Sequence, residues 1–317
     1  MVSEADLVIK TSKLTKYYGK ARGIIDVDLS VQKGEVFGFL GPNGAGKSTT
    51  IRTILDLIRP TSGMALVNGM DPTKEGAKVR RSVGYLPSDF GMYKTLTAEK
   101  YLGTLLAMMG HTGPDRIGEL ADQFQMDLNK RIKDFSRGNR QKVGLVSAFM
   151  HYPKLVILDE PTTGLDPLMQ QEFYKLVLEE KKAGRTVFLS SHILAEVDAI
   201  CDRVAIIREG EIIVTEKMSN FKRKTGKIMV VTFAKPVSPE EFRKLPGITE
   251  VHLKNGMRDT LEMTVASNVD KLIKTLATYE ITDLDYKETS LEHLFLHFYG
   301  VREVRNMESA NGGGVKV

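Results

Sequence analysis

The stretch GPNGAGKST at residues 41–49 concentrates three glycines, one lysine and two hydroxyl side chains in nine residues. It fits the pattern G-x-x-x-x-G-K-[ST], with Gly41, Gly46, Lys47 and Ser48 at the defined positions. Glycines lack a Cβ, so the backbone N–H groups of such a loop can turn inward around phosphate oxygens. Lys47 would bridge the outer phosphates, and Ser48 would bind the accompanying magnesium ion. The alternative is a tight strand-to-helix turn with an incidental lysine.

Two adjacent acids supply the second half of this chemistry. Asp159 and Glu160 end the apolar run in KLVILDEP. An apolar strand ending in an acid is common, and it becomes informative only together with the glycine loop. Asp159 is predicted to hold magnesium, through water, and Glu160 to orient or deprotonate the water that attacks the terminal phosphate.

The elements around these residues predict an α/β fold. The apolar stretch EVFGFL precedes the glycine loop, and TIRTILDLI follows it with apolar residues at helical spacing. KLVILDE and TVFLSSH are typical of buried parallel strands, separated by the predicted helix MQQEFYKLVLEEKKAG. RVAIIREGEIIV predicts a hairpin. Strands that alternate with helices indicate an α/β core.

A change of composition predicts where this core ends. KMSNFKRKTGK at 217–227 is basic and lacks apolar periodicity. We therefore expect a nucleotide-binding domain over 1–220, with a helical subdomain at about 89–150, and a small α+β domain over 228–310. Residues 311–317 are predicted to be disordered or engineered. The last predicted helix, SLEHLFLHFYG, repeats apolar residues at helical spacing, which favours a place in the core of the small domain over a dimer contact; these residues are Leu291, Leu294, Phe295 and Phe298.

Bulk composition restricts the setting. The 317 residues carry a net charge of +5, which suits a polyphosphate, a nucleic acid or an anionic membrane face. The single cysteine, Cys201, lies in an apolar run and is predicted to be buried. The amino terminus lacks the pattern of a secretory signal, and no apolar run approaches the roughly 18 residues of a membrane span. We expect a cytosolic protein.

Together, GPNGAGKST, ILDEPTTGLDP and the SSH step at 190–192 resemble the nucleotide-binding subunits of ABC transporters over roughly residues 7–216. The family carries a Leu-Ser-Gly-Gly-Gln signature before a helix, and this chain has FSRGN at 135–139. The resemblance implies a P-loop NTPase core of the ABC ATPase type, with antiparallel β and helical subdomains and a small carboxy-terminal α+β domain. It also implies ATP and Mg²⁺ as cofactors.

The same resemblance implies that one chain does not work alone. In the family, two subunits face each other head to tail, and the signature of one contacts the terminal phosphate bound by the other. Ser136 and Gly138 match the contacting positions, whereas Arg137 and Asn139 depart from the usual Gly and Gln. The implied partners are a second ATPase subunit, identical or related, and membrane-spanning permease subunits, which would place the chain on the inner face of the cell membrane. No nucleic acid is expected.

Individual site residues follow from the resemblance by position. Tyr18 matches the aromatic residue that stacks on adenine, with Tyr17 expected in the core, and His192 matches the switch histidine. Glu160, His192 and Lys47 are the implied catalytic residues, and Ser48 and Asp159 the implied metal ligands. The implied nucleotide contacts are Tyr18, Gly41, Pro42, Asn43, Gly44, Ala45, Gly46, Lys47, Ser48, Thr49, Ser136, Gly138 and Asp166.

A further position also differs from the family. The family commonly has a glutamine after the strand VGYLP that reaches magnesium, and this chain has Ser88 followed by Asp89. Serine is too short for that contact, so a water or Asp89 would take the role. Just downstream, Phe90, Met92 and Tyr93 are expected either in a groove for a helix of the membrane partner or in the core of the helical subdomain.

Three functions are consistent with the sequence. The first is an ATPase that drives a transporter, with an exporter suggested by resemblance to single-cassette subunits that have a short appendage. The second is a soluble ATPase of the same superfamily acting on nucleic acid or ribosomes; the interval between Ser48 and Asp159 is too short for the coiled-coil insert of DNA-repair members. The third is a binding subunit without hydrolysis, which the atypical signature and Ser88 allow. The residues that argue against it are Lys47, Asp159, Glu160 and His192.

Overall fold

The structure is a computed structural model that describes residues 6–224, 227–254 and 257–288. The chain forms two compact units, Met1–Glu216 and Lys217–Val317. The predicted final helix, with Leu291, Leu294, Phe295 and Phe298, and the predicted tail at 311–317 lie outside the described residues.

The first unit combines strands and helices in the alternation that the sequence predicts. Its strands are β1 (Leu7–Tyr18), β2 (Ala21–Val27), β3 (Ser30–Gln32), β4 (Val36–Leu40), β5 (Ser62–Val67), β6 (Val83–Leu86), β7 (Leu155–Asp159), β8 (Thr186–Ser191), β9 (Arg203–Arg208) and β10 (Glu211–Lys217). Its helices are α1 (Lys47–Ile54), α2 (Pro72–Ser82), α3 (Ala98–Met109), α4 (Ile117–Gln123), α5 (Arg137–Phe149), α6 (Pro167–Lys182) and α7 (Leu194–Ile200), with a short 3-10 helix at Ile132–Asp134.

The central sheet has six strands in the order β10-β9-β4-β8-β7-β6. β4 pairs in parallel with β8 and β9, and β7 pairs in parallel with β6 and β8. All residues of β4, β7 and β8 are buried, which explains their continuous apolar sequences. The carboxyl ends of β4, β7 and β8 therefore lie at the same edge of the sheet, where the glycine loop, the acidic pair and His192 follow them.

A second, antiparallel sheet has the order β2-β1-β3, with β5 also paired to β1. A single hydrophobic core joins this sheet to β4 and α1, and it includes Ile9, Ile24, Phe39 and Ile51. The glycine loop, which connects β4 to α1, is thus mounted on a rigid base.

The helical region lies between β6 and β7. Ser136 caps α5, since its Oγ accepts a hydrogen bond from the Asn139 N–H at 3.2 Å. A Cβ at Gly144 of α5 would lie 2.6 Å from the Phe90 ring, so Phe90 packs against this helix. Met92 is half-buried and Tyr93 is 67% exposed. Of the two expectations for these residues, packing in the helical region therefore holds for Phe90, and exposure holds for Tyr93.

The second unit is a four-stranded antiparallel sheet with helices. Its elements are α8 (Met218–Lys224), β11 (Lys227–Phe233), α9 (Pro239–Arg243), β12 (Ile248–Leu253), β13 (Thr260–Val265), α10 (Val269–Leu276) and β14 (Ile281–Glu288), and the strand order is β12-β13-β11-β14. Its own core includes Val231, Phe233, Phe242, Leu261 and Leu272.

The boundary segment at 217–227 includes a helix, α8, although its sequence lacks apolar periodicity. Met218 and Phe221 are both buried, at positions three apart that share one face of the helix. A helix of two turns contains too few apolar residues for a periodicity to stand out among basic neighbours.

Candidate functional site

The loop between β4 and α1 has a conformation that requires glycine. Gly44 and Gly46 have φ of 79° and 111°, which other residues rarely adopt. A Cβ at Gly41 would lie 2.4 Å from the Ile207 carbonyl oxygen. The Gly41 N–H donates to the Ser191 carbonyl oxygen at 3.1 Å, which fixes the loop to the end of β8. The bare backbone predicted from the sequence is therefore present and held in place.

The Lys47 side chain folds back over the loop between β4 and α1. Its Nζ donates to the carbonyl oxygens of Gly41 at 2.8 Å and Pro42 at 3.1 Å, and lies 3.3 Å from Glu160 Oε1. Only 4% of the side chain is exposed. The ammonium group is thus positioned between the loop and the acidic pair, where it can meet phosphate oxygens from one side.

Asp159 is a fully buried acid at the end of β7. Its Oδ1 accepts a hydrogen bond from the Ser190 hydroxyl at 2.6 Å. Its Oδ2 is buried and has no hydrogen-bond partner among the described residues. A buried carboxylate oxygen without a partner is costly unless a cation or donor satisfies it. Mg²⁺ prefers such a site, with one or two carboxylates completed by hydroxyls, waters and substrate phosphates, so Asp159 fits it and Ser48 at the start of α1 is a suitable second ligand.

The Glu160 carboxylate lies close to both Lys47 and His192. Its Oε1 lies 3.4 Å from His192 Nδ1 as well as 3.3 Å from Lys47 Nζ. Its backbone has φ of 53°, and its N–H donates to the Ser190 carbonyl oxygen at 3.2 Å and to the Ser190 hydroxyl at 3.1 Å. The sequence-predicted catalytic residues Lys47, Glu160 and His192 therefore meet at one carboxylate oxygen.

A cleft lies in front of the loop. It is lined by Tyr18, Arg22, Gly23, Asn43, Gly44, Gly46, Lys47, Ser48, Thr49 and Glu160. A Cβ at Gly23 would lie 3.1 Å from the Tyr18 ring and 3.2 Å from the Thr49 methyl group, so the structure brings Tyr18 to the start of α1.

Two lining residues, Arg22 and Gly23, are absent from the sequence prediction. The turn at Gly19 is the signal that would have found them, because it folds β2 back along β1 and pairs Arg22 with Tyr17. The expectation that Tyr17 lies in the core is wrong: 38% of it is exposed, because this end of β1 extends past the core into solvent.

Ser136, Gly138 and Asp166 lie elsewhere. Within one chain, the lining of the cleft, as the described residues define it, includes none of them. Ser136 is exposed at the start of α5, and Asp166 caps α6 by accepting a hydrogen bond from the Met169 N–H at 3.0 Å. A Cβ at Gly138 would lie 2.6 Å from the Gly164 carbonyl oxygen, so α5 is seated directly on the loop that follows β7.

Ser88 and Asp89 are both exposed after β6. Both side chains therefore remain in contact with solvent, whereas Asp159 of the acidic pair is fully buried.

A second buried acid lies behind the histidine. Glu196 on α7 is 1% exposed, and it accepts a hydrogen bond from the Ser191 hydroxyl, which itself accepts one from the Ile193 N–H at 2.9 Å. These bonds bracket His192. Burial raises the pKa of Glu196 to about 7, against the hydrogen bonds from Ser191 and Thr162 and with a smaller contribution from the negative charge of Glu160.

The raised pKa predicts that Glu196→Gln changes how stability depends on pH. Because the folded pKa is about 7 and the ordinary value is 4.5, the folded protein holds the proton more tightly. The contribution is fully present below the ordinary value and is lost as pH rises through about 7. In the parent, the free energy of unfolding should therefore fall by up to about 3 kcal/mol between about pH 5 and about pH 8. Glu196→Gln should abolish this fall.

Urea denaturation of the parent and of Glu196→Gln, from about pH 5 to about pH 8, measures the free energy of unfolding of each protein. The glutamine amide oxygen still accepts the hydrogen bond from the Ser191 hydroxyl. Parallel curves for parent and variant would show that Glu196 is already ionised in the folded state.

Comparisons with known proteins agree with this geometry. Residues 24–163 match the model of the ABC transporter family. The chain is 37% identical to the bacitracin transport ATP-binding protein BcrA of Bacillus licheniformis, over 70% of this chain and 74% of that protein. It is 32% identical to the linearmycin resistance ATP-binding protein LnrL of Bacillus subtilis (strain 168), over 92% of this chain and 98% of that protein.

The fold is similar to a solved ATP-binding subunit of an ABC transporter, with a TM-score of 0.64, 32% identity, and coverage of 68% of this chain and 92% of that one. Over the residues that the structure describes, no helix is both long and apolar enough to cross a membrane. The match to the family model and a relative aligned along almost its whole length show that this chain belongs to the ATP-binding subunits of ABC transporters, an ATPase family.

Proposed function

We propose that this chain hydrolyses ATP within a head-to-tail pair of ATPase subunits and thereby powers export through membrane-spanning permease subunits. The observation that carries the pairing is the position of Ser136, which is exposed at the start of α5 and does not line the cleft of its own chain. The start of a helix attracts anions, so this surface is suited to a phosphate bound by another subunit. Gly138 would allow close approach, and Asp166 would lie beside the junction.

The residues of the cleft have distinct proposed roles. The N–H groups of residues 41–49 and the Lys47 ammonium bind the phosphates, while the Tyr18 ring stacks on the base. Glu160 orients the attacking water and accepts its proton, and His192 holds the carboxylate and the terminal phosphate in register. Mg²⁺, held by Asp159 and Ser48, would neutralise charge on the phosphate oxygens when bound.

The proposals on direction and location depend on the relatives. Two of them are named for bacitracin transport and linearmycin resistance, which favours export of a drug-like compound. The chain would then lie on the inner face of the membrane, and residues 228–310 would stabilise the pair or regulate it.

The net charge of +5 also suits a competing function, that of a soluble ATPase that acts on nucleic acid or ribosomes. Binding to membranes only with a co-expressed permease supports transport, whereas salt-sensitive binding to RNA or DNA without it supports the competitor.

Ser136→Arg tests the pairing. The larger side chain blocks the start of α5, so hydrolysis should fall about a hundredfold, as expected when a transition-state donor is lost, while ATP binding to the chain's own cleft persists. Phosphate release and equilibrium binding of a fluorescent ATP analogue measure the two effects.

The matched control is Ser219→Arg, at an exposed serine in the first turn of α8 and outside the lining of the cleft. Hydrolysis by Ser136→Arg at the rate of the parent would contradict the head-to-tail arrangement.

A further inference from the structure

One glutamine connects α5 to the segment that carries Glu160. Gln141 lies on α5, and only 8% of it is exposed. Its Nε2 donates to the Pro161 carbonyl oxygen at 2.8 Å and lies 3.5 Å from the Glu160 carbonyl oxygen. The amide is thus directed at the peptide units that immediately follow the acid.

These peptide units need external support. Glu160 has φ of 53°, a left-handed conformation that is strained for a residue other than glycine and persists only where its surroundings hold it. On the amino side, the Glu160 N–H is held by Ser190. On the carboxyl side, the hydrogen bond from Gln141 performs the same task. The two anchors together fix the direction in which the carboxylate leaves the backbone.

A second contact lies one turn earlier on the same helix. A Cβ at Gly138 would lie 2.6 Å from the Gly164 carbonyl oxygen, so there is no space between α5 and the loop after β7. The helix therefore contacts this loop at two levels, Gly138 against Gly164 and Gln141 against Pro161. Packed elements of this kind transmit small displacements, because the interior has few voids. A displacement at the start of α5 consequently reaches the backbone of Glu160.

We propose that Gln141 is a positioning residue for hydrolysis, which holds Glu160 through the Pro161 carbonyl group and makes the acid's geometry depend on the placement of α5. The inference rests on the proposed function, in which Glu160 orients the water and the start of α5 contacts the partner's nucleotide. It adds a direct connection within each subunit. When α5 closes on the partner's nucleotide, the contact through Gln141 positions Glu160, which acts on the nucleotide in the subunit's own cleft.

Two substitutions remove the donor in different ways. Gln141→Met has similar length and no polar group, and Gln141→Glu has the same shape but cannot donate when it is ionised. We expect kcat to fall by about tenfold to a hundredfold in both, as for a misplacement of about 1 Å, with the KM for ATP within about twofold of the parent. The phosphate-binding groups are untouched, so affinity for ATP is retained.

Gln123→Met is the matched control. Gln123 on α4 also donates from a side-chain amide to a helix carbonyl oxygen, that of Glu172 at 3.4 Å, away from the loop after β7. Its kcat should stay within about twofold of the parent. An equal loss of kcat in Gln123→Met would show general loosening of the helical region and would overturn the inference, as would loss of ATP binding in both Gln141 variants.

Glu160→Gln, assayed in parallel, separates the two levels of the argument. If it abolishes hydrolysis while both Gln141 variants keep the parent kcat, only the role of Gln141 is wrong. If Glu160→Gln hydrolyses ATP at the parent rate, the proposed function is wrong, and the inference with it. Reduced kcat at unchanged KM in both Gln141 variants, with an inactive Glu160→Gln and a normal Gln123→Met, supports it.

Discussion

Replacing Glu160 with glutamine is expected to lower kcat for ATP hydrolysis by about a thousandfold while ATP still binds. The amide has the shape of the carboxylate and can remain beside Lys47 and His192, which lie 3.3 and 3.4 Å from Oε1 in the parent. It cannot accept a proton from the attacking water. ATP should therefore accumulate in the paired subunits, and size-exclusion chromatography with ATP should show a dimer.

Glu75→Gln is a suitable control, since Glu75 pairs with Lys78 on α2 and does not line the cleft. Its kcat should equal that of the parent. Retention of hydrolysis in Glu160→Gln would assign the proton acceptor to another group, and failure to form a dimer with ATP would argue against the paired site.

Asp159→Asn is expected to have the second large effect on ATP hydrolysis. The amide oxygen can still accept the Ser190 hydroxyl hydrogen bond, so the end of β7 should keep its structure. The other oxygen, which is buried and has no hydrogen-bond partner in the described part of the parent chain, becomes an NH₂ group that repels a cation. Loss of metal binding removes several kcal/mol of transition-state stabilisation, about a thousandfold in rate. Hydrolysis measured against Mg²⁺ concentration should show a large increase in the concentration needed for half-maximal activity.

Asp202→Asn is the control for a hydrogen-bonded, half-buried acid with a structural role. Asp202 accepts hydrogen bonds from the Val36 N–H at 3.0 Å and the Lys181 ammonium at 2.6 Å, at the opposite edge of the sheet. This variant should unfold more readily, but its Mg²⁺ dependence should match the parent. If Asp159→Asn also matched the parent, the metal ligand would have to be sought elsewhere.

The sequence predicted the strand, the glycine loop and the helix of this site well because local patterns determine them. A buried strand, a glycine loop and a helix form one continuous segment, and parallel strands carry Asp159, Glu160 and His192 to the same edge. Asp159 and Glu160 needed only their neighbours in sequence to be located, whereas His192 followed from the resemblance to the family. The conformations of Gly44 and Gly46 follow from the same local chemistry.

The parts that were missed depend on contacts between distant segments. Gln141 resembles any polar helical residue, and its partner is a backbone carbonyl group that leaves no trace in residue type. Arg22 reaches the cleft only because β2 folds back on β1, and Tyr17 is exposed because that hairpin extends beyond the core. The proposed contact of Ser136 with phosphate came instead from the resemblance to the family, because it needs a second subunit.

The left-handed backbone of Glu160 also has a consequence for protein engineering. A sequence optimised for folding alone would place glycine or asparagine at this position, since both tolerate φ of 53° more easily than glutamate does. Thermostabilised or redesigned versions of this subunit that follow backbone preference would thus discard the acid first. At Glu160 the chain thus keeps a side chain proposed for turnover at a cost in stability.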